Sequence, residues 1–128
     1  MSALVEGPDD ALTRAITAVL SETNGDVLVL CDPAIDRAER IAAFAAGCAS
    51  RGAALCVRMA DDPDPDERAA DAVAIRALAR RHAPRLRVNG VWASTRTRPE
   101  TVAQVVRFLA DAEAITAQVV AVDDEVGR

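Results

Sequence analysis

Short apolar runs alternate with amphipathic stretches along the whole chain. Residues 2–6 form an apolar run of strand length. Leu12, Ile16, Val19 and Leu20 then recur at helical spacing behind Asp9 or Asp10, either of which can cap the helix, and Asn24-Gly25 ends it. Residues 26–31 (DVLVLC) are continuously apolar after the first position, as expected of a strand covered on both faces. Asp32-Pro33 opens a second predicted helix, with Asp32 as cap and Pro33 at the first helical position. That helix runs to about Arg51 and stops at Gly52.

Residues 53–59 (AALCVRM) read as a third strand, followed by a polar, proline-punctuated loop over residues 61–66. Asp64 and Glu67 have capping-box spacing for a helix reaching about His82, which Ala83-Pro84 breaks. Residues 85–92 (RLRVNGVW) read as a fourth strand. Thr97 and Glu100 repeat the capping-box spacing ahead of Val102, Val105, Val106 and Leu109, which share one helix face. Residues 117–122 (AQVVAV) read as a fifth strand before the polar tail 123–128.

Strands alternating with helices predict βαβ units and a parallel sheet. Right-handed crossovers between neighbouring strands would put successive helices on one face. The expectation is then a face short of cover, and that face or a sheet edge is a candidate subunit interface.

Composition narrows the function. At 128 residues the chain is a single domain, 51% apolar but only 2% aromatic, with a net charge of −5. An acidic domain without a basic stripe or stacking aromatics is a poor nucleic-acid binder. Cys31, Cys48 and Cys56 lack metal-ligand spacing and read as reduced thiols, which points to the cytoplasm. No apolar run approaches a membrane span and no secretory signal opens the chain.

Three C-terminal segments carry a resemblance. Leu86-Arg87-Val88-Asn89-Gly90-Val91 is similar to the "IRVNxV" strand of short-chain dehydrogenases/reductases. The stretch from Arg98-Pro99-Glu100-Thr101-Val102-Ala103 to Phe108-Leu109-Ala110-Asp111 resembles that family's "xPEEVAxxVxFLASD" helix. Ile115-Thr116-Ala117-Gln118 through Asp123 resembles its "ITGQxxxVDGG" strand. The resemblance implies a truncated, single-domain (residues 1–128) Rossmann-like α/β fold with three layers and a five-stranded, mostly parallel sheet.

The N-terminus aligns in two ways. Ala3-Leu4-Val5-Glu6-Gly7 resembles the family's opening "ALVTG" strand, with two strands deleted afterwards. Alternatively, residues 5–25 resemble a later stretch before "DVLV", with the N-terminal half lost. The second alignment is preferred here because it keeps the crossovers right-handed.

The family's chemistry is missing. Its members use a Tyr-x-x-x-Lys pair, and this chain contains neither tyrosine nor lysine. The turn Glu6-Gly7-Pro8-Asp9-Asp10 has one glycine and three carboxylates where a dinucleotide needs open amides. The resemblance therefore implies no catalytic residue, no metal and no cofactor bound by this chain, with NAD(P) held by a partner subunit.

The leading expectation is a non-catalytic subunit that pairs with a full-length short-chain dehydrogenase/reductase. The alternative is a homodimer, a self-associating binding or regulatory module. In the resembled family the helices matching residues 33–51 and 66–82 form a bundle between subunits and the last strand makes a second contact; both helices are alanine-rich here, and the resemblance implies an interface at Phe44, Ala45, Cys48, Val73, Ala77, Trp92, Val119 and Ala121. An enzyme with relocated chemistry would draw on Cys31, Asp32 or Asn89, for which position at strand ends is the sole support. The acidic run 61–67 and His82 read as solvated helix-end chemistry rather than metal or catalytic groups.

Overall fold

A computed structural model describes residues 2–23, 25–48, 51–62 and 64–122. Asn24 and the tail 123–128 lie outside the described residues. The elements are β1 (Ser2–Glu6), α1 (Ala11–Leu20), β2 (Asp26–Leu30), α2 (Arg37–Gly47), β3 (Gly52–Met59), α3 (Pro65–His82), β4 (Leu86–Ala93), α4 (Pro99–Asp111) and β5 (Val119–Val122). All five strands are parallel and lie in sequence order across one sheet.

Strand side chains alternate between two cores. Val27, Val29, Leu55, Val57, Val91 and Ala93 pack under Ile16 and Leu20 of α1 and Val102, Val106 and Leu109 of α4. Leu28, Leu30, Ala54, Cys56, Leu86 and Val88 pack under Ile41, Phe44 and Ala45 of α2 and Ile75, Leu78 and Ala79 of α3. Burying each large aliphatic side chain contributes roughly 1.5–3 kcal/mol, which explains why strands covered on both sides are apolar throughout.

The expectation of a bare face is therefore wrong, because each face carries two helices. All four crossovers step the same way across the sheet. Helices on opposite faces then make crossovers of opposite hand, so α1 and α4 differ in hand from α2 and α3. Right-handedness throughout does not hold, and it was the ground for preferring the second N-terminal alignment.

Several boundaries also differ for local reasons. Asp32 does not cap α2: its Oδ1 accepts from the Ala34 amide at 2.9 Å and its carbonyl accepts from Ile35 at 3.1 Å, closing a turn. Asp36 caps the helix instead, accepting from the Glu39 amide at 3.2 Å. The helix ends at Gly47, not Arg51, because Cys48 is extended. Gly52 is the first residue of β3, pressed against β2, where a Cβ would fall 2.8 Å from the Asp26 carbonyl oxygen.

Asp10 caps α1 by accepting from the Thr13 amide. Asp64 caps α3 through the Asp66 amide, while Glu67 turns away to pair with Arg58 at 3.0 Å. Thr97 is buried and its hydroxyl lies 3.2 Å from that of Ser94, so α4 starts on Arg98-Pro99 without a side-chain cap. The ring of Pro99 presets the first helical turn. β5 begins at Val119 because Ala117 has φ 64°.

Candidate active site and its contents

Ligands of open α/β sheets bind beyond the carboxyl ends of the strands. Here that end, on the α2/α3 face, is occupied by side chains bonded to one another. Asp71 shares the inward face of α3 with Ile75, Leu78 and Ala79 and is 5% exposed. Its Oδ2 accepts from the indole Nε1–H of Trp92 at 2.6 Å. Arg37, at the start of α2, brings Nη1 to 2.6 Å from Oδ1. The two groups form an ion pair.

Two more guanidiniums flank the indole. Arg58 from β3 lies 4.6 Å from the ring centroid and Arg68 from α3 lies 5.9 Å from it, both within cation–π range. Glu67 holds Arg58. Beside the cluster, Asp61 accepts from the amide and hydroxyl of Thr95, which lowers its pKa. Cys56 faces the same core, and burial pushes its thiol up to about 11. The arrangement joins two buried side chains, Asp71 and Trp92, to three guanidiniums.

The groups considered for relocated chemistry serve separate structural tasks. Asn89 is 1% exposed; it donates to the Ile115 carbonyl at 3.1 Å and accepts from the Gln118 amide at 3.1 Å, clamping the approach to β5. Cys31 packs toward the α1/α4 core, and burial, then the neighbouring Asp10, push its thiol up to about 12. Asp32 closes the turn before α2. Burial and Arg81 lower the pKa of His82, whose Nε2 is buried without a hydrogen-bond partner.

The turn before α1 does not fit a dinucleotide pyrophosphate. The Thr13 amide is already bonded to Asp10, and Asp9 and Asp10 bring negative charge to the helix N-terminus. Gly7 is walled in as well, since a Cβ there would lie 2.8 Å from the Cys31 Cβ. A cavity of about 520 Å³ opens at the opposite, amino end of the sheet among Asp26, Arg51, Arg87, Asp111 and Glu113. An apolar groove of about 430 Å³ runs between α4 and β5, lined by Val105, Phe108, Ile115 and Val120.

The structure separates the expected interface residues. Phe44, Ala45 and Trp92 are buried within the chain and offer no surface, a correction that follows from α2 and α3 covering one face of the sheet. Cys48 and Val119 are half-buried against the same core. Val73, 63% exposed, and Ala77 project outward from α3, and Ala121 is exposed on β5. Sequence reading missed Asp71 as a site residue. The signal was a carboxylate at i, with apolar Ile75, Leu78 and Ala79 at i+4, i+7 and i+8 on an inward face.

The geometry defines a three-layer, Rossmann-like α/β domain. Residues 38–122 match the family described as "SDR-like: Short chain dehydrogenase-like protein". The chain belongs to that short-chain dehydrogenase-like family. A similar solved structure is a short-chain dehydrogenase/reductase (glucose/ribitol dehydrogenase) from Brucella melitensis, 17% identical with a TM-score of 0.59, the match covering 94% of this chain and 93% of that one. Another is an apo SCOR enzyme from Clostridium thermocellum, 12% identical with a TM-score of 0.57, covering 94% and 90%. No curated protein matches the chain.

Proposed function

We propose that this chain is a non-catalytic short-chain dehydrogenase-like subunit. It stabilises or modulates an active NAD(P)-dependent partner of the same family, and any cofactor is held by that partner. One observation carries the reading. In the resembled family the long helix before the "IRVNxV" strand carries the Tyr-x-x-x-Lys pair; the matching helix here, α3, presents Asp71, paired with Trp92 and Arg37. The absence of tyrosine and lysine from the sequence supports the same view. The exposed Val73 and Ala77 leave an outward stripe on α3 for a partner helix.

The test has two parts. Calorimetric titration of the purified chain with NADH and NADPH is expected to give no saturable heat. Capture of the tagged chain from its host is expected to recover, at equal stoichiometry, a family member carrying an intact Tyr-x-x-x-Lys. Saturable cofactor binding with turnover by the chain alone would sink the proposal. So would a candidate partner whose activity and melting temperature are the same with and without this chain.

A second reading, a self-associating regulatory module, draws on the same α3 stripe. It is favoured if the purified chain dimerises and Val73→Arg abolishes the dimer while no dehydrogenase co-purifies.

A further inference from the structure

The outer edge of β1 carries a surface of a different kind. β1 is an edge strand whose strand neighbour is β2. The Cys31 amide donates to the Glu6 carbonyl at 2.8 Å, so the backbone groups of Glu6 face β2. Strand alternation then points those of Leu4 inward as well, and turns the N–H and C=O of Ala3 and Val5 outward. Leu4 aligns with Leu28, so its side chain lies on the α2/α3 side of the sheet. Neither helix covers it fully there: Leu4 is 43% exposed, one of three large exposed hydrophobics among the described residues, alongside Val73 and Phe108.

We infer that this edge pairs with the same edge of a second copy of the chain, antiparallel about a two-fold axis through Leu4. An axis perpendicular to the sheet joins the two sheets into one ten-stranded sheet (five strands from each copy).

The register follows from the outward groups. A two-fold centred on Leu4 sets Ala3 of each copy opposite Val5 of the other, and those are the residues with free edge groups. Each such pair exchanges two N–H···O bonds, four in total. Centring on Ala3 or Val5 instead would leave some of these groups unmatched within the strand. The same register brings the two Leu4 side chains together on one face, in the close, non-hydrogen-bonded position.

Charge allows the pairing too. Glu6 is the charged residue of β1, and it falls opposite position 2 rather than opposite its own copy. It is already neutralised by Arg40, whose Nε donates to it at 2.6 Å. The helices leave room. α1 packs on the opposite face from Leu4 and inboard against α4, away from the edge. This contact is independent of the α3 surface invoked for a dehydrogenase partner, so either can fail alone.

The test uses the 128-residue chain. Light scattering with size exclusion is expected to give about twice the chain mass. Ala3→Pro removes an outward donor at an edge position that tolerates proline in the monomer, and should halve that mass. Leu4→Lys should do the same by charging the axis.

Circular dichroism must show both variants folded, and either folded variant suffices for the comparison. Leu4→Cys supplies a positive signal. Cα atoms of a non-hydrogen-bonded antiparallel pair lie about 4.5 Å apart, within the disulfide range of about 4.4–6.8 Å. Diamide, as the two-electron oxidant, should take one hydrogen from each thiol and link two chains, while the wild type with its three native cysteines stays unlinked.

A monomeric wild type overturns the inference. A dimer that survives the edge variants while Leu4→Cys fails to cross-link overturns it too, because the contact then lies elsewhere, such as on α3.

Discussion

Replacing Asp71 with alanine should be the most damaging single change at the carboxyl end of the sheet. The substitution removes the acceptor of the Trp92 indole, and Trp92 is 3% exposed, so its N–H is left without a partner. An unsatisfied buried donor costs about 1–3 kcal/mol. It also leaves Arg37 without its counter-ion. Breaking a fully buried pair costs about 3–5 kcal/mol, but Arg37 is 31% exposed and water recovers part of that. We expect a combined loss of about 3 kcal/mol, set against a typical total of about 5–15 kcal/mol.

Urea denaturation followed by Trp92 fluorescence, with the sole tryptophan of the chain as probe, measures it directly. With a slope of about 1.5 kcal/mol per molar urea, the midpoint should fall by about 2 M. Asp71→Asn keeps an acceptor oxygen and loses the charge, so it should fall between wild type and alanine. A double-mutant cycle of Asp71→Asn with Trp92→Phe, followed by circular dichroism, should show coupling above about 0.5 kcal/mol. If Asp71→Ala costs less than about 1 kcal/mol with unchanged slope, the bonds of Asp71 to Trp92 and Arg37 do not anchor α3 to the sheet.

Three further outcomes follow from the packing and from the titrating groups. Gly52→Ala should destabilise by about 1–3 kcal/mol, since its Cβ meets the Asp26 carbonyl at 2.8 Å, whereas Gly90→Ala, whose nearest neighbours are side chains at 3.4 Å, should cost under about 1 kcal/mol; thermal melts of the two separate them. Cys31, with its pKa near 12, is thiolate in about one molecule in ten thousand at pH 8, so iodoacetamide should label it far more slowly in the native chain than in urea, as peptide mass spectrometry can show. The folded state lowers the pKa of His82, so the unfolded chain takes up this proton first as pH falls through about 6.5; stability should drop below that pH, and His82→Gln should flatten the dependence in urea titrations at pH 7.5 and 5.5.

Much of the architecture is legible in the sequence because it rests on local chemistry. All five strands and four helices occur in the order that apolar periodicity predicts, and Asp10 and Asp64 cap the helices they precede. Errors arise where two local solutions compete. Asp32-Pro33 and Asp36 can each start α2, and the turn closed by the Asp32 carboxylate gives the start to Asp36. Thr97 has the spacing of a cap but is drawn into the core beside Ser94, and Pro99 starts the helix without it.

Other properties belong to the assembled structure alone. Apolar periodicity shows that a helix has an inward face but not which side of the sheet it covers. Only packing sets α1 beside α4 and α2 beside α3, and with them the two cores and the two crossover hands. Long-range packing likewise turns Trp92 from a candidate contact residue into a buried partner of Asp71, 21 positions away in the chain. By itself the sequence determined the family's C-terminal signature, the order of elements and the absence of tyrosine and lysine, because residue identity and spacing suffice for these. The tertiary structure decided which groups pair with Asp71 at the carboxyl end of the sheet and which surfaces stay open. Both depend on contacts between residues far apart in the chain, which no local pattern encodes.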